Sequence, residues 1–501
     1  MTEATRSQVE VRGRQALEPT EIRSFSKLFI GGEWAEPTSE ALLAVVSPST
    51  EQLIAEVPAA QNADVDLAVA AARVAFDTGP WPRLTASARG AHLLRLRDEI
   101  AIRVGEMAAS FSAEIGAPMA LATAFHEGAL GLVVSAAELH ERFSFEEQRD
   151  WEAGRTVQIL HEPVGVVATI IPWNVPVSTC LAKICPALAA GCTTVVKSAE
   201  EGPVSMMLLA EAIEAAGLPP GVVNVLPGDR QAGEHLVTHP DVDKITFTGS
   251  TAAGKRIMGL CAERVRNVTL ELGGKSAAII ADEIPLDDVL PTLVPAGILH
   301  SGQICAALTR VLVPRERQDE LVDGLRAAIA GWKVGDPLDP ETALGPLVSE
   351  RQRDRVETYI RVGQEEGARL VIGGGRPIDL DRGWYVEPTV FADVDNGARI
   401  AREEIFGPVI AVIPFDSLEQ AVQMANDSVY GLSGAVFALD AEMADRLARR
   451  VRTGQIGINT WDTCGVQPFG GYKQSGLGRE GGIEGLRSYT ETKVMMSDGV
   501  A

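Results

Sequence analysis

No stretch of the 501 residues reaches about 18 uninterrupted apolar positions, so an ordinary transmembrane helix is not expected. The opening MTEATRSQVEVRGRQALEPTE is charged throughout and has no apolar core of the kind a secretory signal carries, which makes the cytoplasm the expected location. Basic runs are missing too: 45 Lys and Arg stand against 68 Asp and Glu, a formal net charge of −23. Such a field repels phosphate backbones and anionic lipid surfaces, so neither nucleic acid nor membrane is expected as a partner. Cysteine is sparse, with Cys180, Cys185, Cys192, Cys261, Cys305 and Cys464 and no C-x-x-C pair, which argues against a disulfide framework or a zinc ribbon. The seven histidines show no H-E-x-x-H spacing, and no metal is expected. G-x-G-x-x-G after a strand is absent, as are fixed-period repeats and low-complexity segments.

What is present is an ordinary globular composition, 46% apolar and 23% charged, in a chain long enough for two or three domains. The first 25 or so residues are polar and unpatterned and read as a flexible tail. From Asn62 to about residue 143 the apolar spacing is helical. After Glu162 short β-branched runs alternate with Ala-rich helices: 164 to 171, 193 to 196, 222 to 226, 244 to 248, 267 to 271 and 277 to 281. Strands apolar on both faces and separated by helices predict a parallel sheet covered on both sides, a doubly wound α/β fold. A second α/β stretch runs from about 285 to 475. Between the helical and βαβ regions, residues 143 to 165 alternate in polarity and predict an antiparallel hairpin or arm, either a surface excursion or an inter-subunit strand.

Four places carry candidate chemistry. Cys305, in HSGQICAALTR, follows a Gly and a Gln that suggest a turn where the thiol is exposed and backbone N–H groups face it. Its thiolate is the reactive form, favoured by electropositive surroundings, and the alternative is a packing thiol. Glu271 ends an apolar strand before two glycines; desolvated there, it would have a raised pKa and serve as a base toward water, unless it pairs with Lys275. Asn174, bracketed by Pro172 and Pro176 after the strand 164 to 171, offers a rigid amide to a developing oxyanion, or else an Asx turn. FTGSTAAGK (247 to 255) follows a strand and opens a helix whose N-terminus at Ser250 suits a pyrophosphate. It nearly spells a P-loop, but Arg256 stands where the magnesium-binding Ser or Thr belongs. Lys197 and Glu200 end another strand and are either ribose ligands or a solvated ion pair.

In order along the chain, PWN (172 to 174), KSAE (197 to 200), FTGSTxxG (247 to 254), ELGGK (271 to 275), GQxC (302 to 305), EEIFGP (403 to 408) and PFGGYKQSGLGRE (468 to 480) strongly resemble the aldehyde dehydrogenase superfamily, from about residue 28 to the end. The resemblance implies a Rossmann-like NAD-binding domain from 28–142 and 166–272, a catalytic domain from 273–480 and a small antiparallel oligomerisation arm from 143–165 and 481–501, after a tail at 1–27. By similarity Cys305 is the nucleophile, Asn174 and the Cys305 N–H hold the oxyanion, Glu271 activates the hydrolytic water, and Lys183 matches a lysine near the active centre. Lys197 and Glu200 would bind the adenine ribose, Gly249 and Ser250 the pyrophosphate, and Glu404 the nicotinamide ribose, with Trp173 and Phe406 lining the cofactor cleft. A carboxylate at 200 favours NAD over NADP. The substrate tunnel would be walled by Val175, Thr179, Ala182, Leu299, Ile304, Trp461, Cys464 and Phe469. Where members acting on small aldehydes often carry rings, Val, Thr and Ala stand here, so a medium or bulky hydrophobic aldehyde is expected. A homodimer or homotetramer is implied. The rival readings are a CoA-acylating enzyme, against which Glu271 speaks, and a non-catalytic scaffold of the same fold.

Overall fold

The computed structural model describes residues 22–151, 155–281, 284–462 and 466–496. Its largest sheet has eight strands in the order Gly476–Leu477, Asn267–Glu271, Lys244–Thr248, Val166–Ile170, Thr193–Ser198, Val223–Pro227, Leu28–Ile30 and Glu33–Ala35. The five from Asn267–Glu271 to Val223–Pro227 run parallel, and both edges are antiparallel. Val166–Ile170 and Thr193–Ser198 are buried at every position, as strands clad by helices on both faces must be. A fully buried Val, Leu or Ile side chain contributes about 1.5–3 kcal/mol, which explains why these β-branched runs became the centre of the sheet.

Between the polar tail and Asn62, a stretch not assigned from sequence, Leu28–Ile30 and Glu33–Ala35 form one edge and Leu42–Val46 pairs with Leu53–Pro58 as a separate hairpin. Gly31 and Gly32, at φ +66 and +85, make the tight turn between the two edge strands, a conformation disfavoured for any residue with a Cβ.

A second sheet holds seven strands: Arg369–Ile372, Thr389–Ala392, Val409–Phe415, Arg310–Pro314, Ala277–Ile280, Gly434–Phe437 and Gly457–Ile458. All its pairings are parallel except that of Arg369–Ile372 with Thr389–Ala392. Within 143 to 165, Glu146–Asp150 pairs antiparallel with Thr156–Pro163, whose other side takes Thr490–Met496 from the far end of the chain. The helix Gly482–Arg487 is not part of that small sheet and packs on Pro176–Ala190.

The helix Met119–Glu138 is the apolar exception to the expectation of no membrane span, since Met119–Glu141 has a mean hydropathy of 1.4. It lies against the helices Ala86–Ala101, Val104–Ile115 and Pro176–Ala190, burying His126 along with Ala122, Ala129 and Val133. Its apolar stripe serves as the inner face of a covering helix.

Candidate active site

The carboxyl ends of the parallel strands place the chemistry. Asn267–Glu271 lies level with Lys244–Thr248, so Glu271 sits beside Thr248, and the Gly249 N–H donates to the Glu271 carbonyl (3.0 Å). Glu271 is 3% exposed, and neither carboxylate oxygen has a well-formed hydrogen-bond partner among the described residues, the Gly471 N–H making only a poorly directed contact. Burial, then the negative charge of Glu480, hold its carboxyl well above the usual range, while Lys183 and Arg479 partly offset them. The alternative pairing with Lys275 is not made: after the two glycines Lys275 lies among Arg310, Glu404 and Glu403, and burial pushes its amine down to about 7. Those glycines have steric reasons, because a Cβ at Gly273 would overlap the Glu404 carboxylate and one at Gly274 the Cys305 carbonyl. Gly470 is constrained likewise by Glu271 itself.

Lys183, fully buried on the helix Pro176–Ala190, donates to Glu480 and, at 3.4 Å, to Thr246. It therefore addresses Glu271 through Glu480. That partner, at the end of the PFGGYKQSGLGRE motif, was missed by the sequence reading because nothing local couples it to a lysine nearly three hundred positions away. The Phe469 and Glu480 main chains pair reciprocally (2.7 and 2.8 Å), which fixes Glu480 beside Phe469.

Cys305 is half-buried in the turn following Leu299–Gly302. Backbone N–H groups of Cys305 and Ala306 face its sulfur, as expected, but the electropositive surroundings are not there. Burial, Glu404 and Glu271 push the thiol up to about 12, so it is protonated at neutral pH. Asn174 forms no Asx turn. Its side-chain N–H donates to the Gln303 carbonyl at 2.9 Å, tying the amide to the loop that carries the thiol. Ile304, Cys305, Lys275, Glu404 and Phe406 line one small cavity.

A dinucleotide fits the remaining residues. Lys197, 8% exposed at the end of Thr193–Ser198, makes no side-chain hydrogen bond among the described residues, leaving its donors free; burial lowers its pKa, with Glu200, Glu201 and Asp229 offsetting. Glu200 is exposed beside it and forms no ion pair with it, so a solvated pair does not describe them. Ser250 caps the helix Thr251–Ala262 through the Ala253 N–H (3.3 Å), presenting an open helix N-terminus. Glu404 accepts from the Gly274 N–H (3.1 Å), and burial raises its carboxyl to about 7. Trp173 and Phe406 meet edge to face at 5.5 Å.

On the otherwise buried helix Pro176–Ala190, the half-buried positions include Thr179 and Ala182, which continue a stripe begun by Val175 at the N-cap. Leu299 and Phe469 are half-buried as well. The Trp461 indole N–H donates to the Ala306 carbonyl (3.3 Å), setting its ring beside the Cys305 loop. Cys464 lies outside the described residues.

Residues 34–495 match the model of the aldehyde dehydrogenase family. Geranial dehydrogenase from Castellaniella defragrans is 47% identical over 467 residues, 93% of this chain and 97% of that protein. The crystal structure of Mycobacterium tuberculosis aldehyde dehydrogenase complexed with NAD+ superposes with a TM-score of 0.93 at 45% identity, covering 95% of this chain and 99% of that one. A mutant of aldehyde dehydrogenase C from Pseudomonas syringae, complexed with NAD+ and octanal, gives 0.91 at 41% identity over 95% and 97%.

Proposed function

The chain belongs to the aldehyde dehydrogenase family, and from that premise we propose that it oxidises a medium or bulky hydrophobic aldehyde to the carboxylic acid with NAD, through a thioester on Cys305. The observation that carries this reading is a thiol on the loop that the Asn174 amide bonds to, near enough to feel the charge of the buried Glu271 carboxylate, which has no well-formed hydrogen bond among the described residues. Lys197, Glu200, Ser250 and Glu404 would hold the dinucleotide, and Trp173 and Phe406 would line its cleft. Bound NAD supplies the hydride acceptor, and its positively charged ring supplies the charge that the thiolate otherwise lacks.

The Cys305 thiol gives up its proton to solvent, the thiolate adds to the aldehyde carbonyl, and the oxyanion that develops is met by the Asn174 amide and the Cys305 N–H. Once the thioester has formed, Glu271 takes a proton from water, whose oxygen attacks the acyl carbon and expels the sulfur. The two steps use different polarised groups, so each can be set up independently. Glu480, locked to Lys183, keeps Glu271 basic enough for its part. The acidic pair Glu200 and Glu201 beside Lys197 disfavours a 2′-phosphate and supports NAD over NADP.

The tunnel reading rests on the Val175, Thr179 and Ala182 stripe, where small side chains leave room and no cation waits for a distal carboxylate. Similarity to a geranial dehydrogenase and to an octanal-bound structure supports it. The small sheet ending at Thr490–Met496 is where copies of the chain would pair as a dimer or tetramer.

The test is reduced-cofactor formation with an aldehyde panel. Cys305→Ala should abolish it, and Glu271→Gln should give about one equivalent of NADH and then stall. Full turnover by Glu271→Gln without an added thiol acceptor would remove the carboxylate from the mechanism.

A further inference from the structure

His300 is buried to 1% exposure, three positions before Gln303, and has no part in the chemistry described above. Its backbone is left-handed (φ 55), as is that of Ser301 (φ 54) and Gly302 (φ 70). Three consecutive residues in this region are disfavoured for L-amino acids and persist only where the surroundings dictate them. The third must be glycine, since a Cβ there would overlap the Gly407 carbonyl. The turn brings the imidazole back against the Asn174 loop, where Nε2 lies 2.9 Å from the Asn174 carbonyl oxygen. A carbonyl only accepts, so the ring carries its proton on Nε2 and donates. Burial lowers its pKa to about 4, and the ring is therefore neutral across the working range. Phe111 and Phe125 flank it at 5.6 and 6.1 Å, leaving little room for another rotamer.

The remaining bonds close a circuit. The Asn174 side-chain N–H donates to the Gln303 carbonyl (2.9 Å). The Gln303 backbone N–H and side-chain amide both donate to the His300 carbonyl (3.1 and 3.2 Å). The Gln303 side-chain oxygen accepts from the Val348 N–H (3.0 Å), which anchors the ring of bonds to a separate segment. An amide with one N–H committed has its plane fixed and its second N–H aimed, but only while the main chain beneath it is held.

We infer that His300 is a positioning residue for the oxyanion donor: by clamping the Asn174 main chain to the Cys305 loop it fixes where the free amide N–H points. The inference rests on the roles proposed for Asn174 and Cys305. Pre-set donors matter because removing one oxyanion donor costs roughly 100- to 1000-fold in rate. His300→Leu keeps the donor but frees its support, and should lower kcat and kcat/KM for aldehyde together by roughly tenfold or more, with KM for NAD within twofold.

Three measurements separate this role from a purely structural one. Iodoacetamide alkylates a thiol without forming an oxyanion, so its rate at Cys305 should stay within about threefold in His300→Leu. His300→Gln, whose amide nitrogen reaches the place of Nε2, should recover most of the lost kcat. The pH profile should keep its shape, because a neutral imidazole does not titrate there. Wild-type aldehyde turnover by His300→Leu, a parallel fall in alkylation, equal loss in Leu and Gln, or loss of a pH limb near 6 to 7 would each overturn the inference. If the Leu variant does not fold, His300→Phe removes the donor while keeping the ring and is read in the same way. Failure of the wild-type enzyme to oxidise any aldehyde would instead count against the proposed function.

Discussion

The base proposed for deacylation has to be stronger than a free glutamate, and the surroundings of Glu271 raise its pKa through burial and the neighbouring Glu480. The sign follows directly. With its pKa raised, the ionised and active fraction grows as pH climbs above the ordinary carboxylate range, so deacylation-limited kcat should rise with pH along a displaced limb. Glu480→Gln removes a like charge and releases Lys183 to favour the anion, and both changes lower the pKa of Glu271. The ascending limb should therefore move to lower pH, and a shift to higher pH would contradict the electrostatic account. The same substitution leaves Lys183 buried without its partner, which should destabilise the fold by about 3–5 kcal/mol in thermal or denaturant unfolding. Glu271, Cys305 and Asn174 could be singled out in the sequence because each is a reactive type beside Gly or Pro. Glu480 and His300 could not, since their partners are contributed by remote segments. The raised pKa of the Cys305 thiol was equally hidden, for it depends first on burial and then on Glu404, which folds in from another element.

At the scale of elements, the helix Pro176–Ala190 faces two ways. One face is core; the other offers Thr179 and Ala182 below Val175. Ala182→Trp would fill that stripe with a ring. The expected outcome is a rise in KM for octanal-sized and branched aldehydes relative to acetaldehyde, measured across a chain-length series. A wild-type enzyme already selective for acetaldehyde would sink the wide-tunnel reading. The central strands were legible because residues buried on both faces leave a continuous apolar run, and the hinge between Lys244–Thr248 and Thr251–Ala262 because Ser250 is a recognisable cap. Leu28–Ile30 and Glu33–Ala35 were not. Each has three residues; Leu28–Ile30 owes its extended form to the neighbouring Val223–Pro227 strand and Glu33–Ala35 to Leu28–Ile30, pairings that no local pattern records.

For the whole molecule, the arm is the feature with an open edge. Thr490–Met496 pairs on one side with Thr156–Pro163 and on the other has no strand beside it among the described residues, with Val494 and Met496 51% and 68% exposed on one face. Unpaired edges that carry apolar side chains invite another strand. If copies of the chain meet there, the double substitution Val494→Lys with Met496→Lys should shift light-scattering mass toward the monomer. Unchanged mass would place the interface elsewhere. The antiparallel character of 143 to 165 was readable from its polar alternation, whereas the joining of 481–501 to it, from more than three hundred residues downstream, was carried by the family resemblance and by no local pattern.

The eight-stranded sheet takes one edge from Leu28–Ile30 and Glu33–Ala35 and the other from Gly476–Leu477, which lies directly against the strand bearing Glu271. A ribosome making this chain thus delivers the first edge strand early and the last only when almost every residue has been joined. Until then Asn267–Glu271 presents a bare flank, and Glu271 lacks the wall formed by Gly470 and Glu480. Synthesis and folding cannot proceed here as one unit after another: closure waits on contacts of the longest sequence separation, the kind that folds slowly and leaves edges exposed to aggregation meanwhile.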